Sequence, residues 1–493
     1  MAVPLPVDDT PWPPQPYAEL ERDIAEADVW YSGDADKLSA FYGGQRKRGF
    51  WTRRRVPTGP QPKRVHVPAA AAIASASADL LFGETPTFEV ADQATQAHLE
   101  DLIGKVNLDA TLLEGAETAS GLGGVYLRPL WDDQVADHAL LTVMHPDTAV
   151  PEFRWGRLVA VTFWTQLPGG DNGEVWRHLE RYEPGLILHG LYQGTKDKLG
   201  HRRSLKDRAE TAWLAGDDGT GAVNLEALGI AGMAARYVPN VRPNRKRRRH
   251  PIGRWMGRSD TAGWENIMDA LDQDWSSLSR ELDLAKARII VPDQYLRRAG
   301  RGSGAEFDMD QEVFSPVKVG MDAEKLMIEL VQPELRTSAH LESAAAHFEQ
   351  LCAGSGYNAQ TMGNGDQAGG QQTATEVSSK ESLSERTTKK KRSYWAPELE
   401  ATLEVMLQVE RAVFGRSVVQ PARPTLEWPQ GEQDLRETAS SLNLLNLAGA
   451  VSTETKVAIA HPDWDKKAVD DEAAMIRSEQ GLGTESPQGV PLP

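Results

Sequence analysis

The chain lacks the cysteine that a disulfide framework would need. Cys352 is its single cysteine among 493 residues, so no intrachain disulfide can form. Free thiols of this kind persist in reducing compartments. We therefore expect the protein to fold in a reducing cytosol.

Long apolar runs are missing as well. No stretch approaches the roughly 18 apolar residues that a membrane-spanning helix requires. The segment "PAAAAIASASADLLF" (68–82) comes closest, but it is short and rich in Ala and Ser, which favours a packed helix. The start "MAVPLPVDDTPWPPQP" is Pro-rich and acidic, unlike a signal peptide. We expect no membrane partner.

Positive charge is scarce overall, with 54 Lys and Arg against 71 Asp and Glu, a formal net charge of −17. Affinity for DNA comes mainly from phosphate neutralisation, so an acidic surface should not wrap a polyanion tightly. The cations that exist are concentrated in residues 45–64, 242–254 and 389–392. The prolines in 45–64 predict a basic loop.

The other two basic clusters each allow two interpretations. Residues 242–254 are either a nucleic-acid patch or targeting signal, or a solvated loop that pairs with acidic neighbours, which is the favoured interpretation. The "KKKR" of 389–392 lies in a predicted helix and covers its whole circumference, which excludes a one-sided DNA stripe. One or two of these cations are expected to face a ligand, and the others carboxylates. Whether 45–64 and 242–254 bind DNA or neighbouring subunits stays open.

The common catalytic motifs are absent. The sequence contains no GxxxxGK[ST], HExxH, CxxC or GxSxG, and its eleven histidines are scattered. "GLGG" (121–124) is too short for a phosphate loop and predicts a β-turn. We therefore predict no catalytic residue, no metal site, no cofactor and no enzymatic activity.

The first half of the chain predicts a mixed α+β fold. Helical patterns cover 17–44, 65–82 and 94–120. From 121 to about 240, short β-rich runs alternate with Gly, Pro and Asp turns, which predicts an antiparallel, hairpin-rich sheet. "YEPGLILHG" places a Pro-Gly turn inside one of these hairpins.

The second half predicts long helices. Apolar residues recur at steps of three and four over 262–290, and Pro292 ends the pattern. β-like runs follow in 291–332, and a second helix is predicted for 334–352. The predicted apolar stripe of the first helix consists of Trp264, Ile267, Met268, Leu271, Trp275, Leu278, Leu282, Ala285 and Ile289.

A glycine-rich segment, 353–372, precedes the longest predicted helix, 373–415. The six glycines predict a mobile loop. Thr373 and Glu376 have the spacing that predicts a capping box, and Pro397 predicts a kink near Ser393. Short helices are predicted for 431–480, and residues 481–493 are expected to be disordered.

These segments together resemble the portal proteins of long-tailed double-stranded DNA bacteriophages, in the form found in phages of actinobacteria. The resemblance rests on "VHVPAAAAIASASADLLFGETP", "WRHLERYEPGLILHG", "GRSD", the glycine-rich loop and "TATEVSSKESLSERTTKKKRSYW". It covers about residues 17–480. "TATEV" with its preceding loop is the most specific part, and the order of the elements adds weight.

The resemblance implies a portal-type subunit: a mixed α/β wing, long stem helices, a small α/β clip, a long kinked helix and an α-helical crown. The implied boundaries are wing 1–261, stem helix 262–290, clip 291–332, second stem helix 333–352, tunnel loop 353–372, kinked helix and return to the wing 373–430, crown 431–480 and disordered tail 481–493.

The resemblance also implies a structural function. Such subunits form a ring of twelve at one capsid vertex of the virion, assembled in the cytoplasm of the bacterial host, through which DNA is packaged and ejected. The implied partners are double-stranded DNA, the terminase large subunit, the major capsid or scaffolding protein, and a head-tail adaptor. The alternatives are another virion head or adaptor protein, or a nucleic-acid-processing enzyme.

The implied site residues belong to three groups. The DNA-channel loop would present Asn358, Gln360, Asn364, Gln371 and Gln372. Arg297, Arg298 and Arg301 would contact a partner at the clip, and Pro397 would produce the helix kink.

Overall fold

The computed structural model has a mixed α+β fold, as predicted. It describes residues 5–43, 64–170, 173–216, 219–284, 335–363, 374–429, 432–461, 464 and 466–479, with short backbone segments at 288–290, 297–298, 305–306 and 329–331. The chain divides into two compact units. The first comprises Met1–Glu84 and Phe88–Leu426, and the second Thr85–Thr87 and Glu427–Pro493.

The described residues form twelve α-helices. They are α1 (Ala18–Tyr31), α2 (Ala35–Gly43), α3 (Ala69–Phe82), α4 (Gln93–Lys105), α5 (Leu108–Leu122), α6 (Ala209–Ala212), α7 (Glu265–Leu284), α8 (Thr337–Ser355), α9 (Ala374–Ala412), α10 (Glu432–Leu447), α11 (Thr453–Ala460) and α12 (Lys466–Glu479).

The described residues also form fifteen strands. They are β1 (Thr87–Glu89), β2 (Gly124–Leu130), β3 (Leu140–Met144), β4 (Ala149–Arg154), β5 (Arg157–Leu167), β6 (Val175–Glu183), β7 (Leu186–Thr195), β8 (Lys198–Arg203), β9 (Ala222–Asn224), β10 (Arg236–Pro239), β11 (Arg288–Ile290), β12 (Arg297–Arg298), β13 (Ala305–Glu306), β14 (Glu329–Val331) and β15 (Thr425–Glu427).

The N-terminal helices bury the apolar positions that the sequence indicates. Leu20, Ile24 and Trp30 of α1 are buried. Helix α3 is buried along most of its length and ends at Phe82, directly before Gly83, as predicted. The helix predicted for 94–120 is instead two helices, because Asn107 adopts a left-handed conformation with φ 47° between α4 and α5.

The antiparallel sheet prediction is confirmed. The largest sheet has the order β4-β5-β6-β7-β8, with β9 pairing with β7, and a second sheet has the order β10-β2-β3. The Pro-Gly turn joins β6 to β7, with Tyr182 opposite Ile187. Gly185 in this turn has φ 78°, a conformation that glycine adopts without steric cost.

Helix α7 is shorter than the predicted 262–290 helix. It ends at Leu284, and Arg288–Ile290 forms strand β11, which pairs antiparallel with β14. Ile289 and Ile290 are β-branched, which favours extended backbone. The apolar spacing of the helix continues past Leu284, but strand pairing determines the structure there.

Helix α8 packs against α7. It starts at Thr337 and ends at Ser355, a few residues later than predicted at each end. Met268 and Leu271 of α7 form a buried cluster with Ala344 and Leu351 of α8. A Cβ at Gly354 would lie 2.0 Å from the Trp264 ring, so glycine allows this ring to lie on the α8 backbone.

Helix α9 is 39 residues long and passes through Pro397 as a continuous helix. The kink near Ser393 stays a prediction. The carbonyl of Pro397 accepts a hydrogen bond from Arg423 Nη2 at 2.7 Å. In the second unit, α10, α11 and α12 agree with the short helices predicted for 431–480, and the predicted disordered tail (481–493) lies outside the described residues.

Candidate functional site

A buried polar cluster joins six separate segments of the first unit. We call it the central junction. Its members are Ser77 of α3, Ser120 of α5, Asn240 after β10, Asp260 before α7, Tyr357 after α8 and Lys391 of α9.

The centre of this junction is a buried ion pair. Lys391 Nζ lies 2.5 Å from Asp260 Oδ2 and 2.6 Å from Ser77 Oγ. The two charged side chains are 2% and 1% exposed. A buried ion pair of this kind is stable only where further hydrogen bonds satisfy its remaining polar atoms.

Three further groups surround the carboxylate. Ser120 Oγ donates to Asp260 Oδ2 at 2.6 Å, and Asn240 Nδ2 donates to Oδ1 at 2.8 Å. The Tyr357 hydroxyl lies 3.2 Å from Oδ2 and 2.8 Å from Ser77 Oγ. Asp260 therefore contacts four donors on four segments, which satisfies the carboxylate in the interior.

Burial dominates the electrostatics of the junction. It lowers the pKa of Lys391, because desolvation outweighs the attraction of Asp260. It also raises the pKa of Tyr357 well above its usual value, with Asp260 adding to the effect. Tyr357 is thus a neutral hydrogen-bond donor. The arrangement holds α3, α5, α8 and α9 at one point, which is a structural role.

A second buried carboxylate holds the far end of α9. Glu410 is fully buried and accepts a hydrogen bond from the Ala139 backbone N–H at 2.5 Å. His98 Nε2 lies 2.8 Å from the other Glu410 oxygen. Helix α9 is thereby fixed to α4 and to the residue that precedes β3.

The glycine-rich segment starts later than predicted. Residues 353–355 belong to α8, and Ala359–Met362 forms a 3-10 helix. The Asn358 side chain accepts a hydrogen bond from the Gln360 backbone N–H at 3.2 Å, and the Asn358 backbone N–H donates to Ser384 Oγ of α9 at 3.0 Å. The first part of the segment is therefore packed on α9 and is not an open loop.

The other predicted site residues have mixed outcomes. Asn364, Gln371, Gln372 and Arg301 lie outside the described residues. Arg297 and Arg298 form β12, which pairs with β13 in a short antiparallel ladder. The contacts of these arginines stay predictions.

The apolar stripe of α7 is only partly used inside the subunit. Met268, Leu271 and Leu278 are buried, whereas Trp275 is 38% and Leu282 is 50% exposed. Exposed large apolar side chains in a row at helical spacing are typical of an interaction surface. Within the described part of the chain, the same helix thus has a buried face and an exposed apolar one.

The favoured interpretation of 242–254 is confirmed for two of its cations. Lys246 pairs with Asp23 and Glu26, and Arg247 pairs with Asp23 and Glu19, all on α1. The loop predicted for 45–64 lies outside the described residues except for Arg64.

In the "KKKR" cluster, Lys391 faces a carboxylate, as expected for part of that cluster. Lys390 Nζ donates to the Arg242 carbonyl at 3.2 Å.

Neither a metal site nor a membrane span is found among the described residues. No three His, Cys, Asp or Glu side chains in this part of the chain are grouped closely enough to hold a metal ion. No helix in the same part combines the length and apolarity that crossing a membrane requires.

No family model and no curated protein sequence matches this chain. Chains of several solved structures are similar to it, among them three from gene transfer agent particles. A chain of the virion of a native gene transfer agent particle is 13% identical with a TM-score of 0.36, over 92% of this chain and 96% of that one. A chain of the neck of the native particle, computed with C12 symmetry, is 14% identical with a TM-score of 0.38, over 80% and 88%.

The third is a chain of the neck of the empty particle, computed with C6 symmetry. It is 12% identical with a TM-score of 0.38, over 92% of this chain and 95% of that chain. Likenesses with TM-scores this low carry no weight for fold or function. The function is therefore inferred from the residues of this chain.

Proposed function

We propose that this chain is one subunit of a portal ring at a capsid vertex of a bacteriophage virion. The observation that carries the proposal is the order and packing of α7 to α9. Two helices pack together, a pair of short antiparallel ladders lies between them in sequence, and a glycine-rich segment leads into a 39-residue helix that contains Pro397. This is the element order that the family resemblance implies.

The exposed face of α7 supports assembly into a ring. A ring needs a heterologous interface, in which two different surfaces of the same subunit meet and the rotation closes. Trp275 and Leu282 on α7, with Leu335 and Leu341 before and within α8, are exposed in the isolated subunit. We propose that neighbouring subunits cover them, in a ring of twelve.

The domain assignments follow the family plan. Residues 1–261 are proposed as the wing, α7 and α8 as the stem helices, 291–332 as the clip, α9 with its return to the wing as the kinked helix, and 431–480 as the crown. The central junction supports this division, because it fixes the beginning of α7, the end of α8 and the middle of α9 to the wing helices α3 and α5.

The channel contact is proposed for the end of the glycine-rich segment. Since Asn358 and the 3-10 helix Ala359–Met362 pack on α9, the polar residues proposed to face DNA are those that follow, Asn364, Gln371 and Gln372. They carry no positive charge, so they would line a channel without holding phosphates. Arg297, Arg298 and Arg301 are proposed to contact terminase or a head-tail adaptor.

Electron microscopy of the purified full-length chain tests this proposal. A portal gives closed rings with an open central channel. A head or adaptor protein of another kind would give other particles, and a nucleic-acid enzyme would show ATP turnover or metal-dependent DNA cleavage abolished by one carboxylate substitution. Either of those outcomes would replace the portal proposal.

A further inference from the structure

Two basic segments that lie far apart in sequence meet on one surface of the first unit. Lys390 Nζ donates to the Arg242 carbonyl at 3.2 Å across 148 residues. The turn between β4 and β5 joins them, because a Cβ at Gly156 would lie 3.0 Å from the Trp255 ring. We call this surface the basic face; its exposed members are Arg154, Trp155, Arg245, Arg248, Arg249, Arg254 and Lys390.

The basic face contains an excess of cations over its own anions. Residues 236–258 include nine Lys and Arg and no Asp or Glu. The carboxylates of α1 neutralise two of the nine, Lys246 and Arg247. The guanidinium groups of Arg245, Arg248, Arg249 and Arg254 have no ion-pair partner within the described part of the chain. On a chain with net charge −17, this concentration indicates an external anion.

The scaffold of this surface is fixed. Arg247 Nε lies 2.5 Å from Asp23 Oδ2, which holds the segment to α1. His250 Nδ1 accepts a hydrogen bond from the Gly253 backbone N–H at 2.9 Å, and the Gly257 N–H donates to the Tyr237 hydroxyl at 2.9 Å. The exposed arginines therefore project from a rigid turn.

An aromatic edge borders the arginines. The guanidinium of Arg254 lies 4.5 Å from the centroid of the Trp255 ring. Trp155 is 91% exposed at the tip of the β4–β5 turn, where it has φ 51°. A left-handed conformation is uncommon for a bulky residue, so this tip presents the indole ring to solvent at a local steric cost.

We propose that the basic face binds the phosphate backbone of double-stranded DNA. A partner protein surface carries charges of both signs, so it would neutralise a face of like-charged arginines only in part. A phosphate backbone supplies closely spaced anions without cations, which suits arginines that have no acidic residues among them. A duplex has a higher charge density than a single strand, and it releases more counterions for each phosphate contacted.

This inference goes beyond the proposed portal function. It concerns residues 154–157, 242–254 and 390, whereas the proposed channel contact lies at Asn364, Gln371 and Gln372. DNA binding is measured on the purified chain whether or not it forms rings. Ring formation without DNA binding would overturn only this inference, and DNA binding without rings only the portal proposal.

The test is fluorescence anisotropy with a labelled duplex of about 20 base pairs, titrated with full-length protein at roughly 50–250 mM salt. The variant R245A/R248A/R249A/R254A removes four exposed charges. The matched control K196A/K198A/R202A/K206A removes four exposed charges from the same unit, around β8. Each phosphate contact contributes about 0.9 to the slope of log affinity against log salt.

We expect the wild-type protein to bind the duplex. The first variant should make the slope of log affinity against log salt less steep by roughly 3 to 4, and the control should leave this slope unchanged. Equal losses in both variants would overturn the inference, since binding would then follow net charge alone. Unchanged binding by the first variant would also overturn it. Loss of oligomers instead of loss of DNA would assign the face to a second copy of the chain.

A third variant separates the two forms of DNA. Bases of a single strand stack on exposed aromatic rings, whereas a duplex keeps its bases inside. W155A should therefore leave duplex affinity within about 3-fold of wild type, because the phosphates are held by arginines. Preference of the wild-type protein for a single strand, lost in W155A, would contradict the duplex assignment.

Discussion

Replacing Lys391 with methionine should destabilise the packing of α9 in the first unit. Methionine keeps most of the side-chain volume but leaves Asp260 as a buried carboxylate without its cation. Removing one partner of a buried ion pair typically costs about 3 to 5 kcal/mol. Asp260 keeps hydrogen bonds from Ser120, Asn240 and Tyr357, so we expect about 3 kcal/mol, the low end of this range.

The pair can be isolated with a double-mutant cycle. Asp260→Asn leaves Lys391 buried without an anion, and we expect a similar loss. In the double variant neither charge remains, so its cost should be smaller than the sum of the single costs by about 2 kcal/mol or more. Lys390→Met is the matched control, because Lys390 is the exposed neighbour and its Nζ donates to a backbone carbonyl, that of Arg242. This substitution should cost under about 1 kcal/mol.

Hydrogen–deuterium exchange of the peptide 384–396 is the appropriate measurement. The chain has two compact units, so one global unfolding curve would not report on α9 alone. Exchange gives the free energy of local opening for that helix directly. A Lys391→Met effect as small as that of Lys390→Met, or strictly additive single effects, would refute the role of the ion pair in joining these helices.

Three further predictions concern other parts of the first unit and the channel segment. Because Leu278 is buried, Leu278→Ala should lower the stability of the subunit by about 2 to 5 kcal/mol, measured by thermal melting. Because Leu282 is half exposed, Leu282→Ala should leave the melting temperature unchanged and should weaken oligomers in sedimentation. Burial lowers the pKa of His178, and it lowers the pKa of His189 from 6.5 to about 4, so the unfolded state binds protons first as pH falls. The free energy of unfolding should therefore be highest above about pH 6.5 and decrease towards pH 4. His189→Gln should reduce that decrease in exchange measurements on β7, and an equal decrease in the variant would contradict this. Deleting 364–370 should leave rings intact but lower packaged DNA in a phage complementation assay, and normal genome length and yield would rule out a channel role for this segment.

Local features of the fold were predictable from the sequence. The end of α3 at Phe82 and the β6–β7 turn at Pro184 and Gly185 are set by nearby residues, and both predictions are confirmed. The end of α7 was not predictable from spacing, because Ile289 fits the helical stripe as well as a strand. Its pairing with Leu330, some 40 residues further along, decides between the two.

The candidate site was harder to predict, because its contacts are long-range. Asp260 and Lys391 are 131 residues apart, and neither belongs to a motif that would indicate the other. Asp260 ends the "GRSD" segment and Lys391 lies within "KKKR", but nothing in either segment predicts that the two residues pair. In the same way, nothing in the sequence indicates that Lys390 lies beside Arg242, so the basic face forms only in the folded chain.

A symmetric cryo-electron microscopy reconstruction of the assembled protein is the sharpest test of the portal proposal. We expect a closed ring of twelve subunits, about 650 kDa from a 54.1 kDa chain, around an open channel. We also expect Trp275 and Leu282 of α7 to be buried between neighbouring subunits. An assembly without a channel, or a ring in which both side chains stay exposed to solvent, would contradict the proposal.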